Sequence, residues 1–268
     1  MIFRGRKRAE SPCIGIFLFI LFIGAASSYA GPSKSANENQ SDADAIAILT
    51  KLDDLWRGDS SHGTVMMNIK TIHWDRNLEM EVWSKGTKKS LVRVLKPLKE
   101  KGTATLKNGS EAYNYLPQTD RTIKLTSAMM MASWLGSHFT NDDLVKESRF
   151  SEDYTSKINF KGNRDGQDII ELTCIPKPDA AIVWGKLIIV VRKSDWAPLS
   201  IAYFDDDGVK KREMTFADYR TLKGKLVPLR MKMVPMDKPG EYTELVYENL
   251  ELDIDVSDQF FSINQLKR

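Results

Sequence analysis

Residues 125–145, LTSAMMMASWLGSHFTNDDLV, decide how the rest of the chain is read. Three consecutive methionines (Met129, Met130, Met131) lead into Trp134, Leu135 and Phe139, between two series of strand-like segments. The alternation of a strand does not fit this stretch, and it is too short to span a bilayer, which takes roughly 20 apolar residues. An apolar segment set between strands must bury itself or move aside for something else. Methionine is unbranched, flexible and polarizable, so it packs against partners of variable shape. The stretch therefore reads as a plug or lid over an apolar cavity.

On its N-terminal side, Val65, Met67 and Ile69 alternate with Met66, Asn68 and Lys70. A polar turn at Asp75, Arg76 and Asn77 leads into Leu78, Met80 and Val82, which predicts a hairpin with one wet face. Further strand-like runs are 89–95, 103–107, 112–116 and 121–125, with turn signals at 107–109 and 117–120. On the C-terminal side the runs are 154–160, 168–175, 186–192, 199–204, 211–219, 226–234 and 242–252, separated by turns rich in Gly, Asp and Pro. Such spacing suggests one continuous antiparallel meander. The run Leu187 to Val191, LIIVV, is apolar throughout and is expected to be covered on both faces. Ahead of the strands, Ser41 and Asp42 are good N-caps for a helix carrying Ile46, Leu49, Leu52, Leu55 and Trp56, with Gly58 at its end. The expected fold is mainly β (α+β): a curved antiparallel sheet with helices on its concave side.

Residues 1–30 read as a secretory signal peptide. Arg4, Arg6, Lys7 and Arg8 precede the apolar run Ile14 to Ile23, and Ser28-Tyr29-Ala30 ends in small residues, which places cleavage after about Ala30 and the protein in the periplasm. An uncleaved anchor is the alternative, set aside because the apolar run is short. Residues 31–40 read as a flexible tether and 41–268 as one domain of the folded protein. Of 39 basic and 36 acidic residues, four and one fall within residues 1–30, so the remainder is balanced at 35 of each. That balance argues against a nucleic-acid surface. Cys174 is the only cysteine beyond residue 30, so no disulfide within that part of the chain is possible, and its apolar surroundings predict an inert thiol.

Catalytic patterns are sparse. There are three histidines, His62, His73 and His138, and no serine lies in a G-x-S-x-G elbow. His138, Asp142 and Asp143 suggest a metal site only weakly; Asn141, Asp142 and Asp143 read better as the N-terminus of a short helix over 142–147. Asp205 to Gly208 lacks oxygen donors at the outer positions of a calcium loop and reads as a hairpin turn. Neither a phosphate-cradling glycine loop nor a dinucleotide motif is present. No enzyme activity, cofactor or metal is expected. What remains is the excess of methionine and aromatic residues around one curved sheet. A cavity for acyl chains needs soft apolar walls, and each methylene moved into it from water gains roughly 0.8 kcal/mol.

Arg93 to Pro97 with Lys101-Gly102-Thr103, then Tyr115-Leu116-Pro117, and above all Ser133 to Leu144 (SWLGSHFTNDDL) give the chain a family likeness. It resembles the LolA/LolB-like lipoprotein carriers, and among them the outer-membrane lipoprotein-sorting proteins. The resemblance implies an incomplete, half-open β-barrel of about eleven strands. Its concave face, partly filled by helices, would receive acyl chains from an inner-membrane transporter and pass them to an outer-membrane acceptor. By this similarity Met129, Met130, Met131, Trp134, Leu135 and Phe139 form the plug; from the methionine excess around the sheet, Met67 and Met80 are expected to line the acyl cavity. His138 stands where an acid is more usual in the motif. A monomer carrying lipid or lipoprotein acyl chains is the expected function; the alternative is a non-enzymatic periplasmic sensor or interaction domain that uses the same half-barrel to bind a protein.

Overall fold

In the computed structural model the described residues are 36–55, 59–145, 149–180 and 182–268. The signal-peptide reading over residues 1–30, and Trp56 and Gly58 at the helix end, fall outside them. Thirteen strands form one antiparallel sheet: β1 (Ser60–Lys70), β2 (Asp75–Lys85), β3 (Lys89–Lys96), β4 (Ala104–Asn108), β5 (Glu111–Leu116), β6 (Arg121–Lys124), β7 (Tyr154–Arg164), β8 (Gln167–Pro176), β9 (Lys186–Arg192), β10 (Pro198–Phe204), β11 (Lys210–Leu222), β12 (Lys225–Pro235) and β13 (Tyr242–Leu252). All the strand-like runs of the sequence are strands. They number thirteen, where the family resemblance implied about eleven.

The order across the sheet is β6-β5-β4-β3-β2-β1-β13-β12-β11-β10-β9-β8-β7. The sheet is thus two meanders joined where the first and last strands pair, from Ser61 opposite Leu252 to Lys70 opposite Tyr242. A bulge at Thr64/Val65 marks that seam. Beside it Gly63 is needed, because a Cβ there would lie 2.5 Å from the Asn249 carbonyl oxygen. The two edges, β6 and β7, do not pair, so the curved sheet stays open, and residues 125–153 are the chain that connects them. The first hairpin turns at Thr71–Trp74, where the Thr71 amide donates to the Trp74 carbonyl. Asp75 to Asn77, read from sequence as that turn, are instead paired with Asn68 to Lys70.

Helix α1 (Ala36–Leu55) starts five residues before its expected cap at Ser41, inside the stretch read as a tether. Ala45, Ile48, Leu49 and Leu52, at helical spacing, are all buried. They meet the inner-face residues Val65, Met67 and Ile69 of β1, Leu78 and Met80 of β2, Val92 and Val94 of β3, and the inner faces of β8 to β10, in one hydrophobic cluster. Each fully buried Leu, Ile or Met contributes about 1.5–3 kcal/mol before ordering costs. Asp53, also buried, accepts the amides of Phe150 (2.9 Å) and Ser151 (3.0 Å) and the Ser151 hydroxyl (2.7 Å). It thereby supplies acceptors for the first turn of the short helix Phe150–Asp153.

A second cluster lies on the other face. The C-terminal segment, ending in the short helix Ile263–Leu266, packs Phe261 and Leu266 against Leu91, Ala104, Leu106 and Tyr115. Lys85 and Lys89 reach Asp258 at 3.0 and 2.8 Å, and Asn108 donates to the Phe261 carbonyl. Coverage on both faces is therefore found on β3 and β4, not on β9. In β9, Leu187, Ile189 and Val191 are buried while Ile188 and Val190 are only half-buried. An apolar run shows that neither face repels a neighbour, and the tail that could cover one went elsewhere.

Candidate functional site

The connecting segment is a chain of short turns. A 3-10 turn at Ser127–Met129 is followed by another at Trp134–Gly136 and by helix α2 (Asn141–Val145). Leu135 and Gly136 both take left-handed backbone angles, φ 50° and 73°. For leucine that conformation costs about 1–3 kcal/mol and persists only where the surroundings demand it. At Gly136 an added Cβ would lie 3.1 Å from Arg76 Nη2. The reversal closes a loop in which Ser133 bridges Thr140 and the Trp134 amide donates to the Phe139 carbonyl at 2.8 Å.

This loop delivers Trp134 (3% exposed) and Phe139 (7% exposed) into the main cluster, among Met67, Met80, Val92 and Val94, with Leu135 and Leu144 packed against it. The indole N–H of Trp134 donates to Thr105 Oγ1 of β4 at 3.1 Å, and that hydroxyl donates to Asn114 Oδ1 of β5. The polar edge of the ring is thus satisfied inside an apolar interior. Of the residues read from sequence as the plug, the aromatic ones, Trp134 and Phe139, are those that turn inward. Met129 and Met130 are half-buried and Met131 is 50% exposed, and among the described residues none of the three belongs to the cluster. The physical reason is the backbone. The Met129, Met130 and Ala132 carbonyls are taken by the Asn141 side chain and by the Asp142 and Asn141 amides, which staples the triplet across the start of α2. It forms the rim of the plug.

Two buried polar contacts hold the plug to the sheet. Asp143 receives two hydrogen bonds from Arg212 of β11, at 2.6 and 2.7 Å, and the guanidinium lies between the rings of Trp184 (4.5 Å) and Tyr203 (4.4 Å). The Arg212 side chain is 7% exposed and that of Asp143 19%. Burial alone would lower the Arg212 pKa, but the hydrogen bonds and negative charge of Asp143 outweigh it and the net shift is upward. Asp143 also accepts the Thr140 amide at 2.8 Å while Thr140 Oγ1 accepts the Asp143 amide at 3.3 Å, a reciprocal cap for α2. Thr140, rather than Asn141, is therefore the capping residue.

His138 makes the second latch. Its Nε2 lies 3.0 Å from Glu241 Oε2, its Nδ1 lies 2.8 Å from Thr243 Oγ1, and its amide donates to the same hydroxyl oxygen at 3.0 Å. Both the imidazole and the Glu241 carboxylate are 8% exposed. Each ring nitrogen has a partner: Nε2–H donates to the Glu241 carboxylate, and Nδ1 shares a hydrogen bond with the Thr243 hydroxyl. The hydrogen bond from His138, with one from the Ile72 amide, holds the Glu241 carboxyl below the usual glutamate range. His138 and Asp143, considered from sequence as metal ligands, are drawn to these separate partners. The Cys174 thiol is fully buried, and burial pushes it up to about 12. Asp205 to Gly208 form the turn between β10 and β11, with the Val209 amide on Asp205 Oδ1.

Two clefts flank this core. One, of about 210 Å³, lies beside the Asp143 latch among Phe150, Tyr154, Trp184 and Tyr203. The other, of about 320 Å³, opens between α1 and β7–β8 over Ile48, Ile158, Ile170 and Trp196. Arg212, Glu241, Thr243 and Thr105 escaped the sequence reading. Each lies in or next to a strand of mixed polarity, where a buried charge has the same local pattern as a solvated one.

An open antiparallel half-barrel, filled on its concave side by a helix and an aromatic plug, is the LolA-like fold. A domain described as an outer membrane lipoprotein-sorting protein, from Vibrio parahaemolyticus, superposes with a TM-score of 0.75 at 24% identity, covering 85% of this chain and 100% of that one. A DUF1329 family protein from Desulfovibrio piger gives 0.76 at 20% identity, covering 84% and 99%. A LolA superfamily protein from Nitrosomonas europaea gives 0.69 at 23%, covering 82% and 98%. The family model that matches residues 86–268 carries the description "-like: Uncharacterized protein", and the chain belongs to that family. No curated protein matches the sequence.

Proposed function

We propose that this protein is a non-enzymatic carrier that takes acyl chains of a lipid or lipoprotein into the concave interior and moves them through the periplasm toward the outer membrane. The observation that carries the reading is the plug: Trp134 and Phe139 fill the interior of an unclosed sheet from a segment that joins its two free edges. A core residue with no need to leave would not require a strained loop and two polar latches to hold it.

The magnitudes suit exchange. Aromatic side chains bury about 150–250 Å² each, so withdrawing two exposes some 300–500 Å² at about 25 cal/mol per Å², roughly 8–12 kcal/mol. Ten to fourteen methylenes entering in their place return about 8–11 kcal/mol. Plug and cargo are thus nearly interchangeable, which a protein that must both load and release requires. The lipoprotein-sorting name of one structural neighbour and the LolA superfamily name of another agree with this reading, as do residues 1–30, whose pattern is that of an export signal. His62 is engaged by Glu81 at 2.9 Å and stacked on Trp83, and His138 is engaged on both ring nitrogens by Glu241 and Thr243 in its latch. A donor transporter in the inner membrane and an outer-membrane acceptor complete the proposal, with the carrier acting as a monomer.

The test is lipid extraction and mass spectrometry of protein purified without detergent, together with uptake of a fluorescent fatty acid. Bound lipid, and faster uptake when the Asp143 latch is removed, are expected. A preparation free of lipid that ignores the probe even with the latch removed would overturn the proposal.

A further inference from the structure

The larger cleft, of about 320 Å³, combines an apolar floor with a cationic rim. Ile48 of α1 and Ile170 of β8 are buried in the main cluster, and Ile158 of β7 packs against it. Two lysines line this floor and a third stands against its Trp196 wall, each from a different element. Lys161 stands directly opposite Ile170 in the β7–β8 ladder. Cross-strand partners share a face, so this lysine belongs to the inner face of an edge strand, the face that carries Ile158. Lys193 follows β9 and lines the same cleft. Lys51 lies one helical turn beyond Ile48 and puts its Nζ 4.1 Å from the centre of the Trp196 ring, which forms another wall. Asp44 is the one acid lining the cleft. Among the described residues neither Lys161 nor Lys193 has a carboxylate partner, and both are exposed.

Trp196 adds an independent sign of a built site. It holds φ at +60°, a conformation that indole-bearing residues rarely adopt. The turn that imposes it is rigid: Arg192 makes two 2.8 Å bonds to Asp195, its amide donates to the Ala197 carbonyl, and the Trp196 amide donates to the Arg192 carbonyl. The result is an indole standing against α1, at the mouth of the cleft. Protection of the β7 edge by an inward charge would account for Lys161 alone. It would not account for Lys193, Lys51 or the constrained Trp196, which come from other elements.

We propose that this cleft binds the anionic head group, carboxylate or phosphate, of an amphiphile with one acyl chain lying on Ile48, Ile158 and Ile170. The proposal rests on the carrier reading and adds the charge and position of the cargo's head. Its volume lies at the lower end of ligand pockets, which suits one chain. The lysine stems cover apolar surface while their charges remain at the rim, where a head group would sit.

Calorimetric titration of the purified chain with dodecanoate, dodecyl phosphate, dodecyl maltoside and dodecyltrimethylammonium, each below its micelle concentration, tests it. The two anions are expected to bind about tenfold or more tightly than the maltoside, and the cation most weakly. In the double variant Lys161→Gln, Lys193→Gln the anion preference should fall to within about twofold, with maltoside binding and the unfolding midpoint unchanged. About 1 M salt, where charges act over only about 3 Å, should do the same to the wild type. The ratio of dodecanoate to dodecyl phosphate identifies the head group. Equal binding of anions and maltoside, or a preference that survives the double substitution, would overturn this proposal and leave the carrier reading standing. Failure of all four amphiphiles to bind would overturn both.

Discussion

Replacing Asp143 by Ala removes the partner of a guanidinium that is almost wholly enclosed. The Arg212 side chain is 7% exposed and sits between Trp184 and Tyr203, so its charge is largely shielded from bulk water. Breaking a buried pair on one side costs about 3–5 kcal/mol, because the remaining charge is uncompensated. The Asp143 side chain is 19% exposed, which lets water relieve part of the loss and favours the lower end, about 3 kcal/mol. The variant also loses the acceptor that Asp143 offers the Thr140 amide, although Thr140 Oγ1 still accepts the residue-143 amide, and this half of the cap is worth at most about 1 kcal/mol more. The expected destabilisation is therefore about 3–4 kcal/mol, a large part of the 5–15 kcal/mol typical of a domain. Urea unfolding monitored by tryptophan fluorescence measures it. A second variant, Asp143→Leu with Arg212→Met, replaces the pair by apolar side chains that keep contact with the rings, and should recover at least about 2 kcal/mol of the loss. A single substitution costing less than about 1 kcal/mol, or a double variant no more stable than the single one, would refute the claim that this pair holds the plug.

The His138 latch should weaken in acid. Glu241 has a folded pKa below its ordinary value of 4.5, so its contribution is complete above that value and is lost as pH falls through the lower, folded one. Glu241→Gln should therefore reduce stability at neutral pH, because Ile72 and His138 address different carboxylate oxygens and in Gln one of these becomes a donor, and the gap to wild type should close in acid; a pH-independent gap would contradict this. Gly136→Ala introduces a Cβ 3.1 Å from Arg76 at φ 73° and should cost about 1–2 kcal/mol in thermal unfolding, while Gly86→Ala, with open space around it, should cost only its backbone strain. Cys174 should resist a thiol reagent at pH 8 until the chain unfolds, since burial raises its pKa to about 12; labelling of the native protein at the rate of a free thiol would count against a closed core.

Much of the architecture was legible without coordinates. Strand runs depend on alternation between neighbours two apart and turns on Gly, Pro, Asp and Asn, so Val65-Met67-Ile69 and Asn108-Gly109 declared themselves locally. The burial of Trp134 and Phe139 was legible from sequence because apolar side chains in a non-alternating insertion need cover. Their division from the methionines was not. Which side chains turn inward depends on the reversal at Leu135 and Gly136 and on carbonyls claimed by Asn141, none of which leaves a periodic trace.

By itself, then, the sequence determined what each segment is: strand, turn, helix or insertion, and a chain poor in catalytic groups. Only the tertiary structure decided what each segment meets. It set β1 beside β13, laid the C-terminal tail over β3 and β4 rather than β9, and matched Asp143 to Arg212 and His138 to Glu241. The Asp59 amide finds its acceptor on Asp253, 194 residues away. Closing so long a loop costs little more than closing a short one, because the entropy grows only with the logarithm of length. Distance along the chain therefore carries almost no information about partnership, and complementary shape and charge in the folded interior select the partners instead.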